Sequence, residues 1–337
     1  MELTPQDEFQ HVPDGQDSSP WKDTWWFVAR DRARDIAIHA HLTLSANRYP
    51  PARATVLVKH GGREALEVVR TETPRLAGDT VGNALLQFKV IEPAWGDAKR
   101  ILLTARLCDV DVELDLAGRF PVVDINALCP GVLPARSGGP TGPSAGGVLR
   151  HLEASMTFEG TVTWKGEQPI PVRGHAIRDR SWGWRKTQAM FRFGWEGFFG
   201  HGPDYTLGIG CFRVGDTPDS VGSRASSFIA DKNGVQPCKN VELQIDGTGR
   251  PVMVVFDGID GRRIDARTVR QGMTAHLPFQ DPDSLTENSL MVVQTEYHVD
   301  LCDQDGGIME GLYTVARPRY SNVLEGATFL TAATDDH

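Results

Sequence analysis

Apolar and polar residues alternate with a period of two along most of this chain. Residues 36–42 (IAIHAHL) place their apolar side chains on one side and His39 and His41 on the other. Residues 109–116 alternate acidic and aliphatic side chains without a break, as a strand with one face in solvent does. The carboxylates at that spacing form a solvated ladder rather than a metal site. No stretch of helical length shows a helical period, so the pattern predicts an all-β fold.

The same alternation recurs downstream, with Asp-Gly and Asn-Gly turn signals between the apolar runs. It predicts strands at 85–91, 152–164, 191–199, 206–213, 241–246, 251–256, 290–301 and 307–316. Two consecutive antiparallel β-barrels of about 150 residues each would use this length and strand content economically.

We therefore predict a first barrel over 21–187, a second barrel over 188–337, and a disordered or extended segment over 1–20. Residues 133–148 are rich in glycine, proline and serine and predict a long surface loop. A loop of that length in a compact β-protein is either a lid or disordered, and the sequence leaves both open.

Composition excludes several classes of protein. The 35 basic and 44 acidic side chains give a net charge of −9, which disfavours binding to nucleic acid or to an anionic membrane. No apolar run reaches the roughly 20 residues of a membrane span, and the polar start lacks the features of a secretory signal, so we expect a cytoplasmic protein. The 5 cysteines show no C-x-x-C spacing and predict free thiols. Phosphate-loop, dinucleotide, nucleophile-elbow and zincin motifs do not occur, and we expect neither a cofactor nor a metal.

Two predicted strands carry side chains that could line a pocket. In 152–164 the apolar side fits a core, and Glu153 on the polar side faces either solvent, which burial statistics favour, or a cavity. In 191–199 the aromatic face that includes Phe193 and Trp195 fits a core, and it equally fits a pocket for a large apolar ligand.

Residues 174–185 (GHAIRDRSWGWR) combine three arginines, an aspartate, a histidine and two tryptophans. Charges of both signs beside large aromatic rings indicate a desolvated ion-pair cluster, which is either a chemical site or a structural corner. The segment resembles the signature G-x-G-x-R-D-H-S-W-G-x-R of the hydroxyneurosporene synthase (carotenoid 1,2-hydratase)/AttH-like family. The matching residues are Gly174, Arg178, Asp179, Ser181, Trp182, Gly183 and Arg185, whereas Ala176 and Arg180 depart from the pattern.

The resemblance implies two lipocalin-like β-barrels and an apolar cavity for an isoprenoid, terpenoid or steroid-like substrate. The implied reaction adds water to a C=C bond, removes it from an alcohol, or isomerises the substrate by acid catalysis. Two alternatives are an intramolecular cyclase or pericyclase and a non-catalytic carrier of a hydrophobic ligand. The only partner expected is the small hydrophobic substrate, and the oligomeric state is left open.

The resemblance also assigns candidate roles within and around the motif. Asp179 matches the carboxylate that would donate the proton. His175 is either the proton relay in place of the family's histidine or a hydrogen-bonded structural residue. Aromatic faces would stabilise a cationic intermediate or line the substrate site. The residues expected to line that site are Trp182, Trp184, Trp195, Phe193 and Glu153. Arg178 and Arg185 are expected to be structural, each paired with a buried carboxylate such as Glu153 or Asp179.

Overall fold

The fold is taken from a computed structural model of the chain. It describes residues 5–11, 21–45, 52–71, 75–92, 100–128, 150–184, 195–212, 224–280 and 291–318. The chain divides into two compact units, one formed by 1–125 with 134–185 and the other by 126–133 with 186–337.

Among the described residues, the first unit contains one antiparallel sheet of 12 strands. The strands are β1 (Trp21–Asp31), β2 (Ile36–Ser45), β3 (Ala52–His60), β4 (Arg63–Thr71), β5 (Arg75–Ala77), β6 (Thr80–Gly82), β7 (Leu86–Glu92), β8 (Arg100–Arg106), β9 (Val110–Gly118), β10 (Val123–Asp124), β11 (Arg150–Trp164) and β12 (Ile170–Trp184). Their order is β4-β3-β2-β1-β12-β11-β9-β8-β7-β6-β5, and β10 pairs with β11. The sheet curls into a half-barrel, and β12 lies near its middle between β1 and β11.

The second unit is a closed antiparallel barrel in which each described strand pairs with the next and the last pairs with the first. Its strands are β13 (Trp195–His201), β14 (Tyr205–Phe212), β15 (Arg224–Asp231), β16 (Gly234–Ile245), β17 (Pro251–Gly258), β18 (Arg263–Gln280), β19 (Met291–Asp303) and β20 (Ile308–Pro318).

The predicted all-β fold is confirmed. Helix in the described residues is confined to a 3-10 helix at Pro5–Glu8 and one turn, α1, at Ile125–Leu128. None of the described helices is long and apolar enough to cross a membrane. The predicted loop at 133–148 and the predicted boundary at 187 lie outside the described residues.

Alternation along the strands builds the core of the first unit. In β2 the apolar residues Ile36, Ile38 and Leu42 belong to one buried cluster with residues of β1, β3, β11 and β12. In β9 the aliphatic residues are buried, while Asp111 and Glu113 are exposed, as predicted for a solvated ladder. The face of the sheet that carries this core cluster is called the inner face below, and the opposite face is called the outer face.

Backbone geometry explains why two positions of the 174–185 motif are glycine. A Cβ at Gly174 would lie 2.0 Å from the backbone oxygen of Arg30 on the neighbouring strand. Gly183 has a φ of 147°, a conformation that residues with a side chain rarely adopt. Gly174 therefore permits the close approach of β12 to β1, and Gly183 permits a backbone conformation that favours glycine.

Residues 5–11 are the described part of the segment 1–20, for which the sequence predicts disorder or an extended chain. Pro5–Glu8 form a 3-10 helix, and Glu8 is buried against Arg178. The indole N–H of Trp25 donates a hydrogen bond to the backbone oxygen of Glu8 at 3.2 Å. The segment is ordered because donors on the inner face satisfy its carbonyl groups, a long-range effect that local composition does not show.

The side chains of Cys108, Cys238 and Cys302 are not joined in disulfides. The side chains of Cys129 and Cys211 lie outside the described residues.

Candidate functional site

Strand β12 presents different chemistry on its two faces because successive side chains of a strand point in opposite directions. Arg178 and Arg180 lie on the inner face, where Arg180 pairs in register with Trp25 of β1. Asp179 and Ser181 lie on the outer face, where they pair in register with Glu153 and His151 of β11. Four polar side chains therefore meet at one point of the outer face.

One imidazole nitrogen bridges two carboxyl groups in this cluster. His151 Nε2 lies 2.9 Å from Glu153 Oε1 and 2.8 Å from Asp179 Oδ2. The side chain of Glu153 is 4% exposed, whereas those of His151 and Asp179 are 15% and 22% exposed. Asp179 is thus the most accessible of the three, and Glu153 is the most buried.

One hydroxyl group contacts the second oxygen of Asp179, and another hydroxyl group contacts the first hydroxyl. Ser181 Oγ donates to Asp179 Oδ1 at 3.0 Å, and Ser181 Oγ and Thr24 Oγ1 are 2.8 Å apart. Trp26 pairs in register with Asp179 on the other side, so its indole is the cross-strand neighbour of this carboxylate. Asp179 therefore lies between a polar cluster on β11 and a large aromatic ring on β1.

Burial and charge together set the protonation of the cluster. Burial opposes the charged form of His151, but the Asp179 and Glu153 carboxylates outweigh burial and raise the pKa of His151 to about 10. Burial, reinforced by the Asp179 carboxylate, raises the pKa of Glu153 to about 7 even though His151 favours its ionised form. Near neutral pH the cluster consequently holds a protonated imidazole and a carboxyl group poised to gain or lose a proton.

The same three residues have the donor set of a metal site. One ligand atom from each of His151, Glu153 and Asp179 lies within 4.8 Å of the others. Glu153 Oε2 is buried without a hydrogen-bond partner among the described residues, so it has a lone pair to offer. Nitrogen and carboxylate oxygens suit zinc and related divalent ions.

The inner face of β12 carries ion pairs of a different kind. The side chains of Arg178 and Arg180 are wholly buried. Arg178 pairs with Glu8, and Arg180 pairs with Asp23 at 2.7 Å. Arg180 also lies flat against Trp25, with 4.0 Å between the guanidinium carbon and the ring centroid. Such enclosed pairs hold elements together and offer little access to a substrate.

Comparison with known proteins places the chain in a family. A model for a family described as a domain of unknown function, DUF7064, matches residues 4–295. The chain belongs to the DUF7064 family. No curated protein matches this DUF7064 sequence.

Solved structures share the fold of this DUF7064 protein. A Nitrosomonas europaea protein described as AttH has a TM-score of 0.60 and 14% identity, covering 94% of this chain and 96% of that chain. Kievitone hydratase from Nectria haematococca has a TM-score of 0.51 and 14% identity, covering 89% and 90%. A protein named CghA has a TM-score of 0.50 and 8% identity, covering 90% of each chain. Identities this low show the shared fold alone.

The likeness to the protein described as AttH is a likeness of fold, and it agrees with the fold that the family resemblance implies. The narrower assignment to hydroxyneurosporene synthases stays a prediction. The same holds for the isoprenoid substrate class that came with it.

The DUF7064 structure brings together only part of the predicted site. Asp179 and Glu153 meet at the outer face, but His175 lies four residues earlier on β12, roughly 13 Å away by strand rise. Trp182 lies on the inner face, where its ring stacks on His11 at 3.9 Å, and not beside Asp179. Arg178 is buried and paired, with Glu8 as its partner in place of Glu153 or Asp179.

Four predicted residues cannot be placed in the site. Arg185 and Phe193 lie outside the described residues. Trp184 and Trp195 belong to β12 and β13, and their side chains lie outside the described part.

Sequence reasoning missed His151 and Trp26. His151 precedes Glu153 by two residues, which places both side chains on one face of a strand. That spacing is visible in the sequence, but the register that sets β11 against Asp179 is not. Trp26 is more than 150 residues from Asp179 in the sequence, and only the pairing of β1 with β12 sets the two opposite each other.

Proposed function

We propose that this protein is an acid–base enzyme that adds water to, or removes water from, a hydrophobic molecule. The observation that carries the proposal is the bridging of Glu153 and Asp179 by one nitrogen of His151. Hydration and dehydration both need an acid and a base at one place, because one proton moves to or from oxygen and another to or from carbon. A protonated imidazole beside two carboxyl groups supplies both.

Asp179 is proposed as the catalytic residue that meets the substrate. It is the most exposed member of the cluster, and its two oxygens contact His151 and Ser181. Glu153 is buried behind it and has a pKa raised to about 7, so it can hold a proton near neutral pH. Because Asp179 is the ionised carboxylate beside His151, His151 or Glu153 first passes it a proton, which Asp179 delivers to the substrate carbon. The proton released from the added water returns to the cluster, and dehydration runs through the same steps in reverse.

Two further observations support a hydrophobic substrate. The Trp26 ring adjoins Asp179 across β1 and β12, and an aromatic face stabilises a developing carbocation by about 0.5–2 kcal/mol. The fold is shared with a protein named kievitone hydratase, which shows that this architecture can host a hydratase. An isoprenoid, terpenoid or steroid-like alkene or alcohol is the substrate class we propose.

The test is a change of one carboxylate. Asp179→Asn keeps the side-chain shape and its hydrogen bond from Ser181, but it cannot deliver a proton. We expect a normal melting temperature and a turnover about 10²–10⁴-fold lower. Turnover is measured on a panel of apolar alkenes and alcohols as gain or loss of water, with oxygen-labelled water identifying the added group.

The matched control is Glu159→Gln, because Glu159 lies on the same face of β11 as Glu153 but is exposed. It should leave turnover unchanged. Two outcomes contradict the proposal: an Asp179→Asn variant that retains full turnover, or a wild-type chain that binds members of the panel without converting them. Binding alone would indicate the carrier function, and a product of unchanged mass would indicate a cyclase or isomerase.

A divalent-metal site is the second candidate function. It is favoured by the close approach of the three ligand atoms and by the unpartnered Glu153 Oε2. His151, Glu153 and Asp179 would hold the ion, and His151 would bind it through a deprotonated Nε2.

Metal removal separates the two candidates. Under the acid–base proposal, a chelator leaves turnover unchanged. Added zinc inhibits because it binds the nitrogen and oxygen atoms that would otherwise carry the protons. Under the metal proposal, the chelator abolishes turnover and zinc restores it. Isothermal titration with zinc measures the affinity, and Glu153→Gln should weaken binding because it removes one charged ligand.

A further inference from the structure

The N-terminal residues 7–11 are bound to the inner face of the first unit as a peptide ligand is bound. Three of their backbone carbonyl groups accept hydrogen bonds from side chains of the sheet. Trp25 Nε1 donates to Glu8 O at 3.2 Å, and Trp21 Nε1 donates to His11 O at 3.1 Å. The third carbonyl group, Phe9 O, accepts a hydrogen bond from Arg180 at 2.6 Å.

The backbone N–H of the segment is recognised as well. His11 N donates to Asp23 Oδ2 at 2.8 Å, and the other oxygen of Asp23 pairs with Arg180. Contacts to main-chain groups hold a peptide whatever its side chains are. They therefore supply affinity, and the side chains of the segment supply selectivity.

Two side chains of the segment fit positions shaped for them. The Glu8 carboxylate pairs with Arg178, and both side chains are at most 1% exposed. Three residues later, the His11 ring stacks on Trp182 with 9° between the ring planes. The site thus accepts a carboxylate and, three residues further on, a flat ring.

The inner face offers more donors than the segment uses. Nε and Nη1 of Arg178 and Nε of Arg180 are buried without a hydrogen-bond partner among the described residues. Buried donors are usually satisfied, so unused guanidinium donors mark a place where another oxygen-rich group can bind.

We propose that Arg178, Arg180, Trp21, Trp25 and Trp182 form a binding site for an acidic peptide segment, which residues 7–11 fill in cis. The recognised ligand is a chain segment with a carboxylate three residues before an aromatic or imidazole ring. The attached segment has an effective concentration near the millimolar range, so it outcompetes a free peptide of equal intrinsic affinity. The site is open to a separate peptide only when the attached segment is weakened or displaced.

The test supplies the segment in trans to the full chain. A fluorescent synthetic peptide copying residues 1–11 is titrated with the wild-type chain and with the full-length Glu8→Ala/His11→Ala variant. Fluorescence anisotropy should show the variant binding the peptide about tenfold tighter or more, because its own segment no longer competes well. A control peptide with Gln at position 8 and Ala at position 11 should bind the variant about tenfold more weakly.

Equal affinities of the two proteins, or of the two peptides, would overturn the proposal. If the variant does not fold, hydrogen exchange of the wild-type chain decides the question. The His11 amide, bonded to Asp23, should exchange faster when the copying peptide is present at millimolar concentration. An exchange rate that the peptide leaves unchanged would mean that residues 7–11 are a permanent part of the sheet.

Discussion

Asp23 and Glu153 are two buried carboxyl groups on opposite faces of the same sheet, with β12 between their strands. Burial disfavours the Asp23 carboxylate, but the charge of Arg180 and the contacts with His11 hold the pKa of Asp23 below its usual range. At Glu153 the Asp179 carboxylate adds to the effect of burial, and together they raise the pKa of Glu153 to about 7. Two similarly buried carboxyl groups thus have pKa values shifted in opposite directions.

The difference lies in the number of positive partners that each group has. Both oxygens of Asp23 are occupied, Oδ1 by Arg180 and Oδ2 by the His11 amide. Glu153 shares its single cation, His151, with a second carboxylate, and its Oε2 has no hydrogen-bond partner among the described residues. A fully partnered carboxylate anchors structure, and a partly partnered one is suited to proton transfer.

The largest expected effect comes from removing the partner of Asp23. Arg180→Met leaves the Asp23 carboxylate buried without its cation and should lower the free energy of unfolding by about 3–5 kcal/mol. Urea unfolding at neutral pH measures it. The control is Arg63→Met, since Arg63 and Glu167 form an exposed pair with side chains 46% and 48% exposed. That pair should contribute about 0–1 kcal/mol. Similar losses for both variants would mean that Arg180 is not what stabilises the Asp23 carboxylate.

The pH dependence of stability should have opposite signs for the two carboxyl groups. Because folding lowers the pKa of Asp23 from 3.8, its contribution is present above pH 3.8 and is lost as the pH falls through the folded value. Because folding raises the pKa of Glu153 from 4.5 to about 7, its contribution is full below pH 4.5 and is lost as the pH rises through about 7.

Urea unfolding of two variants across pH 3 to 7, roughly the window that these values span, separates the groups. Asp23→Asn should remove the loss of stability on the acid side. Glu153→Gln should reduce the loss of stability as the pH rises toward neutral. It should leave the loss of stability at acid pH as it is in the wild-type chain. A Glu153→Gln curve that parallels the wild-type curve would show that Glu153 ionises normally.

Much of the fold and one half of the site follow from local pattern. The period of two in residues 36–42 and 109–116 correctly indicates strands, because one face of each is buried. The same rule places Arg178 and Arg180 on the face opposite Asp179, as β12 confirms. These inferences succeed because they depend only on neighbours along the chain.

The rest depends on partners far apart in sequence. Arg178 pairs with Glu8, 170 residues away, and no local pattern in residues 1–20 indicates that pairing. The register of β11 against β12 sets Glu153 opposite Asp179, and a shift by one residue would send Glu153 to the core face. Alternation also puts Trp182 on the face of Arg180 and not on the face of Asp179, so its predicted role beside the substrate stays a prediction.

The smallest expected effect concerns the hydroxyl pair that supports Asp179. Thr24→Val and Ser181→Ala each remove one hydroxyl of the 2.8 Å contact and should each lower the free energy of unfolding by about 0.5–1.5 kcal/mol. If the contact positions Asp179, the double variant should lose less than the sum of the single losses, with a coupling of at least about 0.5 kcal/mol. Pairing Thr24→Val with the exposed Glu167→Gln is the control, and that pair should be additive. Additivity of the Thr24 and Ser181 losses would mean that the contact between the two hydroxyl groups adds nothing to stability, so that Ser181 and His151 hold the proposed proton donor Asp179 without help from Thr24.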